Sequence, residues 1–284
     1  MKEFNILNLG AGIQSTTLYL MFLRGELTPQ IDYAIFADTG EVPAPVYQHL
    51  EWLQSLNGPS ILMRSFGKLG EHLKHNRNSG QQYAGVPAFT AAKSDSATGM
   101  VCYRCAQEYK RKVIDHVICH EIVGLDPHQP FPRDEVHVWQ NIGISCDEAG
   151  RAARVRLGFM KTHWTTPVFP LVEHQMTRSM CLQWLKAFGV PHEVPQPACV
   201  FCPCHSNEDW RWLRDHDPAG FQRAVEIDAA LRTPGHTADR TLNPKRYVHH
   251  SGVPLAEAFL EKHELFRDQT FMGFYQECNG LCGI

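Results

Sequence analysis

The chain has 284 residues, 43% of them hydrophobic and 20% charged, with a formal net charge of −3. That composition excludes collagen-like, coiled-coil and disordered chains, and it holds enough apolar material for one large domain or a domain with a helical extension. The charge excludes a global basic field for nucleic acid, and without a run of about 18 apolar residues no membrane-spanning helix is expected.

Residues 4–9 (FNILNL) read as a strand that runs into a Gly-rich turn, and residues 14–24 have helical spacing. A second strand follows at 31–37, a second helix at 46–55 and a third strand at 60–64. This alternation predicts an α/β fold, a Rossmann-like parallel sheet with helices on both faces. Residues 67–100 are rich in Gly, Ser, Asn and Gln and read as a loop or lid. Further along, 109–120 reads as helix, 136–145 as a core strand and 147–156 as a helix or basic loop. Residues 177–188 form a predicted helix with Thr177 as N-cap and Gly189 as its stop. Helices are expected at 207–214, 218–231 and 254–263, with a loop at 233–252. The chain thus divides into an α/β domain, 1–190, and a Cys-rich, mostly helical region, 191–284, with a flexible tail, ECNGLCGI. The N-terminus MKEFNILNLGAG lacks a signal-peptide pattern, so a cytoplasmic protein with no membrane partner is expected.

The turn after the first strand is Gly10-Ala11-Gly12-Ile13-Gln14-Ser15-Thr16-Thr17. Glycines let the backbone approach an anion, and the following helix offers free amides and the positive end of its dipole. Ser15, Thr16 and Thr17 add hydroxyls, so the segment reads as a phosphate cradle. It is neither GxxxxGK[ST] nor GxGxxG. The second strand ends in Asp38-Thr39-Gly40-Glu41, where parallel sheets bind ligands. Asp38 there could accept from a ribose hydroxyl, hold a metal through water, or simply cap the turn.

Ten Cys stand at 102, 105, 119, 146, 181, 199, 202, 204, 278 and 282. In a reducing compartment, clustered thiols point to metal or catalysis rather than disulfides. Cys102-x-x-Cys105 and Cys199-x-x-Cys202 could together make a four-thiolate zinc site or hold an iron–sulfur cluster, and spacing does not separate the two. Cys204 follows two residues later. Cys119, Cys146 and Cys181 sit in apolar segments and read as packed thiols. Cys278 and Cys282, beside glycines in the tail, suit a swinging thiol. Lys110, Arg111 and Lys112, and Arg151, Arg154, Arg156 and Lys161, form two basic clusters for phosphate contacts or a nucleic-acid path.

These segments, in this order, resemble the phosphoadenosine phosphosulfate (PAPS) reductase family of the adenine nucleotide α-hydrolase superfamily. The matching stretches are GAGIQST after the first strand and ADTGE after the second, then Cys105 to Lys110 (Cys-x-x-x-x-Lys). They continue with Gly143-Ile144-Ser145 followed by Asp147, Glu148 and Arg151, with Phe169-Pro170-Leu171, and with Cys199-x-x-Cys202-Pro203 followed by Trp210. Many members of the superfamily carry SGGxDS in the PP-loop. Here Gly10 replaces the Ser, Ala11 the first of the paired glycines and Gln14 the Asp, which puts a metal role at that position in doubt.

The resemblance implies a HUP-type PP-loop domain that binds ATP with Mg²⁺. Gly10, Ala11, Gly12, Gln14, Ser15, Thr16, Asp38, Thr39, Gly40 and Lys110 would lie at the nucleotide, and Arg151 would stabilise developing charge. It also tips the metal choice toward a 4Fe–4S cluster on Cys105, Cys199 and Cys202, with Cys102 or Cys204 as further candidates and Zn²⁺ as the alternative. The implied activity is ATP-dependent sulfur transfer: adenylation of a substrate oxygen, release of pyrophosphate, and delivery of sulfur from the cluster or a Cys persulfide. The acceptor would be a tRNA or DNA base or a small metabolite. The donor would be sulfide, a cysteine desulfurase or a thiol reductant, and a homodimer is a candidate assembly. Two alternatives stand beside it. One is a PAPS or adenylyl-sulfate reductase using Cys278 or Cys282, against which the missing His at the end of the tail motif counts. The other is a non-enzymatic nucleotide or redox sensor.

Overall fold

Apolar side chains leave both faces of β1 (Lys2–Asn8): Phe4 and Ile6 enter one core, and Leu7 with Leu9 beyond it enters another. A strand buried on both faces belongs to a parallel sheet covered by helices. The computed structural model describes residues 1–75, 86–90, 100–101, 105–160, 164–232 and 246–261. Cys102, Cys278 and Cys282 lie outside these residues. In the main sheet β1 pairs in parallel with β2 (Tyr33–Ala37) and β6 (Val136–Ile142). Beyond them lie β3 (Ser60–Arg64) and β7 (Thr165–Val168), giving the order β3-β2-β1-β6-β7. The expected Rossmann-like α/β fold is observed.

One face is covered by α1 (Ile13–Leu23), α2 (Ala44–Ser55), the short α6 (Pro170–Glu173) and α7 (Arg178–Phe188), packed around Leu18, Leu50, Leu53, Leu171, Cys181 and Leu185. The other carries α4 (Lys112–His116), flanked by π-helical turns Gln107–Arg111 and Val117–Ile122, and α5 (Ala149–Phe159). Cys181 is fully buried, as expected, whereas Cys119 and Cys146 are only half-buried. No described helix is long and apolar enough to cross a membrane.

A third core gathers around Trp210. It joins α3 (Leu69–His75), α8 (Asn207–His216) and α9 (Pro218–Leu231) through Leu69, Leu73, Leu213 and Ile227. A small antiparallel sheet, β5 (Met100–Val101), β4 (Ala88–Thr90) and β8 (Arg246–Tyr247), lies with it. Part of the segment read as a loop or lid, α3 and β4, is therefore regular structure whose partners are distant in sequence. Strand β7, TTPV, was not expected, because it contains Pro and too few residues to alternate. It lies at the sheet edge, where a missing amide is tolerated. Of the helix expected at 254–263, the described part, 254–261, is corrected to a 3-10 turn, Leu255–Glu257, followed by extended backbone at Ala258. There the Leu255 amide donates to the buried Asp228 (2.8 Å), a tertiary bond that replaces a helical start.

Helix α7 matches its sequence signals. Thr177 accepts from the Met180 amide, and Gly189 closes the helix at φ +90°. Thr177→Ala is expected to lower stability by about 1 kcal/mol through loss of this cap, measured by urea unfolding.

Candidate functional site

The sheet order changes direction at β1: β2 lies on one side, reached through α1, and β6 on the other. Open α/β sheets bind ligands at such a switch point, beyond the strand C-termini. A cavity of about 710 Å³ lies here, bordered by the turns after β1, β2 and β6 and by the chain from Glu193 to Asp209.

Helix α1 opens into this cavity. Its N-cap is Gly12, with extended backbone and no capping side chain, and its first turn has no acidic residue. The amides of Ile13, Gln14 and Ser15 precede the first intrahelical bond, from Thr16 N to Gly12 O at 2.9 Å. Free amides at a positive helix end favour an anion. Ala11, just before, holds φ +59°, a conformation that costs a non-Gly residue about 1 kcal/mol. The turn after β6 passes close beneath. A Cβ on Gly143 would stand 2.7 Å from Ser15 N and 2.9 Å from Ser15 Cα, so a side chain there would displace the cradle. Gly143→Ala is expected to weaken anion binding at this helix end on the order of tenfold or more, because displacement of a positioned group by an ångström can cost that much or more. Isothermal titration with a non-hydrolysable ATP analogue checks it.

Gln14 does not stand open as a ligand. Its Nε2 donates to Glu148 Oε2 (2.9 Å) and its Oε1 accepts from Arg178 Nη1 (2.9 Å). Glu148 Oε1 in turn accepts from Arg151 Nη1 (3.0 Å). The amide both donates and accepts here; an ionised Asp in its place could not donate to Glu148. The chain Arg178–Gln14–Glu148–Arg151 thus ties α1 to α5 and α7 while two guanidinium groups and Lys110 border the cavity. Arg178 carried no signal in the sequence beyond its place after a predicted N-cap.

The three predicted hydroxyls behave differently. Ser15 borders the cavity but its Oγ donates to Gly12 O (3.3 Å), Thr16 Oγ1 is 2.9 Å from His49 Nε2, and Thr17 Oγ1 donates to Ile13 O. Gly10, Ala11, Thr16, Asp38 and Gly40 are not among the cavity's bordering residues. Asp38 Oδ1 accepts from the Gly40 amide (2.7 Å) and the Tyr47 hydroxyl (3.0 Å), the geometry of a capped turn. Thr39 does border the cavity.

His49 also meets His192 Nε2 through its Nδ1 (2.8 Å), and burial, then the neighbouring His192, lower its pKa to about 4. Burial, then His250, lower that of His249 to about 4 as well. The unfolded chain takes up these protons near pH 6.5 and the folded chain only near 4. Stability from both groups is therefore present above pH 6.5 and lost as pH falls toward 4, with a limiting slope of about 1.4 kcal/mol per pH unit for each. Asp115 acts oppositely, since burial raises its pKa to about 6. Two groups against one leave a net loss, and urea midpoints at pH 7 and pH 5 are expected to show the lower value at pH 5.

Cys105, Cys199, Cys202 and Cys204 border the same cavity, and Lys110 faces the first three electrostatically. Burial pushes the Cys105 thiol up to about 12 and Cys199 to about 11, against the pull of Lys110. Cys204 donates to Cys202, which lowers the Cys202 pKa and raises that of Cys204. Cys202 is thereby the sulfur best held as thiolate. Thr39 Oγ1 lies 3.2 Å from Cys199 Sγ. Among the described residues, no group of three His, Cys, Asp or Glu side chains is gathered closely enough to hold a metal ion. The donors nonetheless fit a thiophilic group: soft sulfurs, three half-buried and Cys204 buried, beside a cation, with His205 close in sequence and carrying a buried, unpartnered Nδ1.

No family model matches this chain, and no curated protein matches it. Among solved structures, it is similar to the U34-tRNA thiolase NcsA from Methanococcus maripaludis with its [4Fe-4S] cluster. That similarity covers 86% of this chain and 76% of the other, at 12% identity and a TM-score of 0.36.

Proposed function

We propose that this chain is an ATP-dependent sulfur-transfer enzyme of the PP-loop type. One observation carries the reading: a single cavity joins the uncapped N-terminus of α1, the cations Lys110, Arg151 and Arg178, and four cysteines. Anion-binding groups and soft sulfurs in one chamber suit a reaction that activates with a nucleotide and then delivers sulfur.

The triphosphate would lie on the amides of Ile13, Gln14 and Ser15, with Arg151 and Arg178 beside it. A carbonyl oxygen of the acceptor attacks the α-phosphorus and pyrophosphate leaves. The acceptor carbon then carries an AMP leaving group in place of a poor oxide. Hydrosulfide attacks that carbon, AMP departs with the oxygen, and the proton of hydrosulfide goes to pyrophosphate. The sum is acceptor C=O, ATP and HS⁻ giving C=S, AMP and pyrophosphate, with no change of oxidation state. Preorganised amides and guanidinium groups stabilise the charge that develops on the phosphates.

Cys105, Cys199 and Cys202 would hold a 4Fe–4S cluster, with Cys204 on the same wall and Cys102 outside the described residues. When bound, such a cluster supplies a Lewis-acidic iron for a sulfur ligand. Lys110 would offset part of the negative charge that the metal-bound thiolates bring to the site. The acceptor is a base carbonyl in a nucleic acid or that of a small metabolite.

The test is anaerobic purification and reconstitution, then incubation with ATP, sulfide and an RNA or metabolite pool. Pyrophosphate and AMP in equal amounts, with a thiocarbonyl product, support the reading. Sulfite from PAPS or adenylyl sulfate, without pyrophosphate, overturns it in favour of a reductase.

A further inference from the structure

His205 is a buried side chain with one nitrogen employed and one idle. It is 4% exposed, and its ring stands edge-on to the fully buried Trp210 at 4.6 Å. Its backbone amide donates to Cys202 O (3.1 Å), and its Nε2 lies 3.0 Å from Cys199 O. A carbonyl can only accept, so Nε2 carries the proton and Nδ1 carries the lone pair. That Nδ1 is buried and has no hydrogen-bond partner. Trp210 Nε1 is also buried without a partner, so the two rings do not satisfy each other.

His205 borders the chamber of Cys105, Cys199 and Cys202, and the spacing is Cys199-x-x-Cys202-x-x-His205. Its Nε2–H bond to the Cys199 carbonyl has the form that fixes the tautomer of a metal-ligating histidine. We infer that His205 Nδ1 is a ligand of the metal group held by Cys105, Cys199 and Cys202. The inference rests on the metal reading above and adds a nitrogen donor to an otherwise all-sulfur set. A neutral nitrogen in place of a thiolate leaves the site one negative charge smaller and its bond to metal more easily exchanged, which suits a position that must open to sulfur.

The experiment uses the full chain, reconstituted anaerobically with iron and sulfide. Metal content is measured, and nitrogen coordination is read by X-ray absorption at the metal edge and by pulsed electron paramagnetic resonance of the reduced protein. The wild type is expected to show one imidazole nitrogen on the metal. His205→Ala should lose that nitrogen and at least half of the metal, and His205→Cys should recover the metal without the nitrogen. Wild-type protein with full metal and no nitrogen ligand overturns the inference alone, whatever the variants do. Wild type that takes up no metal overturns the metal reading and the inference together. If zinc binds in place of iron, the cluster reading falls, while the nitrogen count at the zinc edge still decides His205. Circular dichroism of each variant separates loss of a ligand from loss of fold.

Discussion

Cys199→Ala and Cys202→Ala are each expected to abolish metal binding and product formation while the sheet stays folded. The wild type should carry about four irons per chain as a 4Fe–4S protein, and each variant less than about one. The reasoning is spatial. Both sulfurs border the cavity, beside the third core, and neither belongs to the two cores that cover the main sheet. The uncapped N-terminus of α1 lies elsewhere in the same chamber and keeps its own support from Glu148 and Arg178. The variants should therefore still bind an ATP analogue, so binding and sulfur delivery separate. Cys202 is the more sensitive position, because its thiol is the one held toward the thiolate by Cys204. Iron analysis, visible absorption and calorimetry on the same preparations check all three points. Full iron in Cys202→Ala would remove Cys202 from the ligand set.

Arg223→Ala is expected to cost about 3–5 kcal/mol of stability, the largest single effect foreseen outside the cavity. Glu41 is buried, with a side chain only 3% exposed. Arg223 holds it with two bonds, Nη2 to Oε1 at 2.7 Å and Nε to Oε2 at 3.0 Å, and Gly70 N adds a third at 2.9 Å. Removing the guanidinium leaves a buried carboxylate with one amide for company. The same Arg223 Nη2 lies 2.7 Å from Glu71 Oε1, so α9, α3 and the loop after β2 part together. At roughly 2–4 °C per kcal/mol for a chain of this size, the melting temperature should fall by about 10 °C. The effect should reach the thiols, because Glu41 O accepts from Val200 N (2.7 Å), next to Cys199. Pairing Glu41→Leu with Arg223→Met should restore part of the loss, since no charge is then stranded, although Gly70 N still lacks its acceptor. A melt unchanged in Arg223→Ala would show that the pair contributes nothing net.

Local chemistry was legible where one segment contains its own signals. The β–α alternation of the first 64 residues reads directly, because strands buried on both faces and helices with an apolar stripe have different periods. Helix α7 carries both its cap and its stop, and helix α9 begins at Pro218, in the position where proline costs a helix least. The thiols at 105, 199, 202 and 204 stood out by spacing, as did the Gly-rich turn by its lack of side chains. Edge strand β7 and the turn at 255–257 did not, since one depends on a place at the sheet margin and the other on a distant carboxylate, Asp228.

What the sequence determined by itself is the class of fold and the chemical types at hand: an anion cradle after the first strand and clustered sulfurs far along the chain. The tertiary structure alone decided that these face one chamber, because the switch in strand order at β1 opens a crevice and the 193–209 chain crosses over it. It also decided where the hydroxyls are spent, that of Ser15 on Gly12 O at the cavity's edge. Thr16 and Thr17 follow Ser15 around a helix whose period turns them into the core, so they bond His49 and their own backbone instead of facing the cavity. Gln14, Glu148, Arg151 and Arg178 became one bonded chain for the same reason. Hydrogen bonds at 2.9–3.0 Å need three separate elements brought into register, and only packing of the sheet against its helices supplies that register.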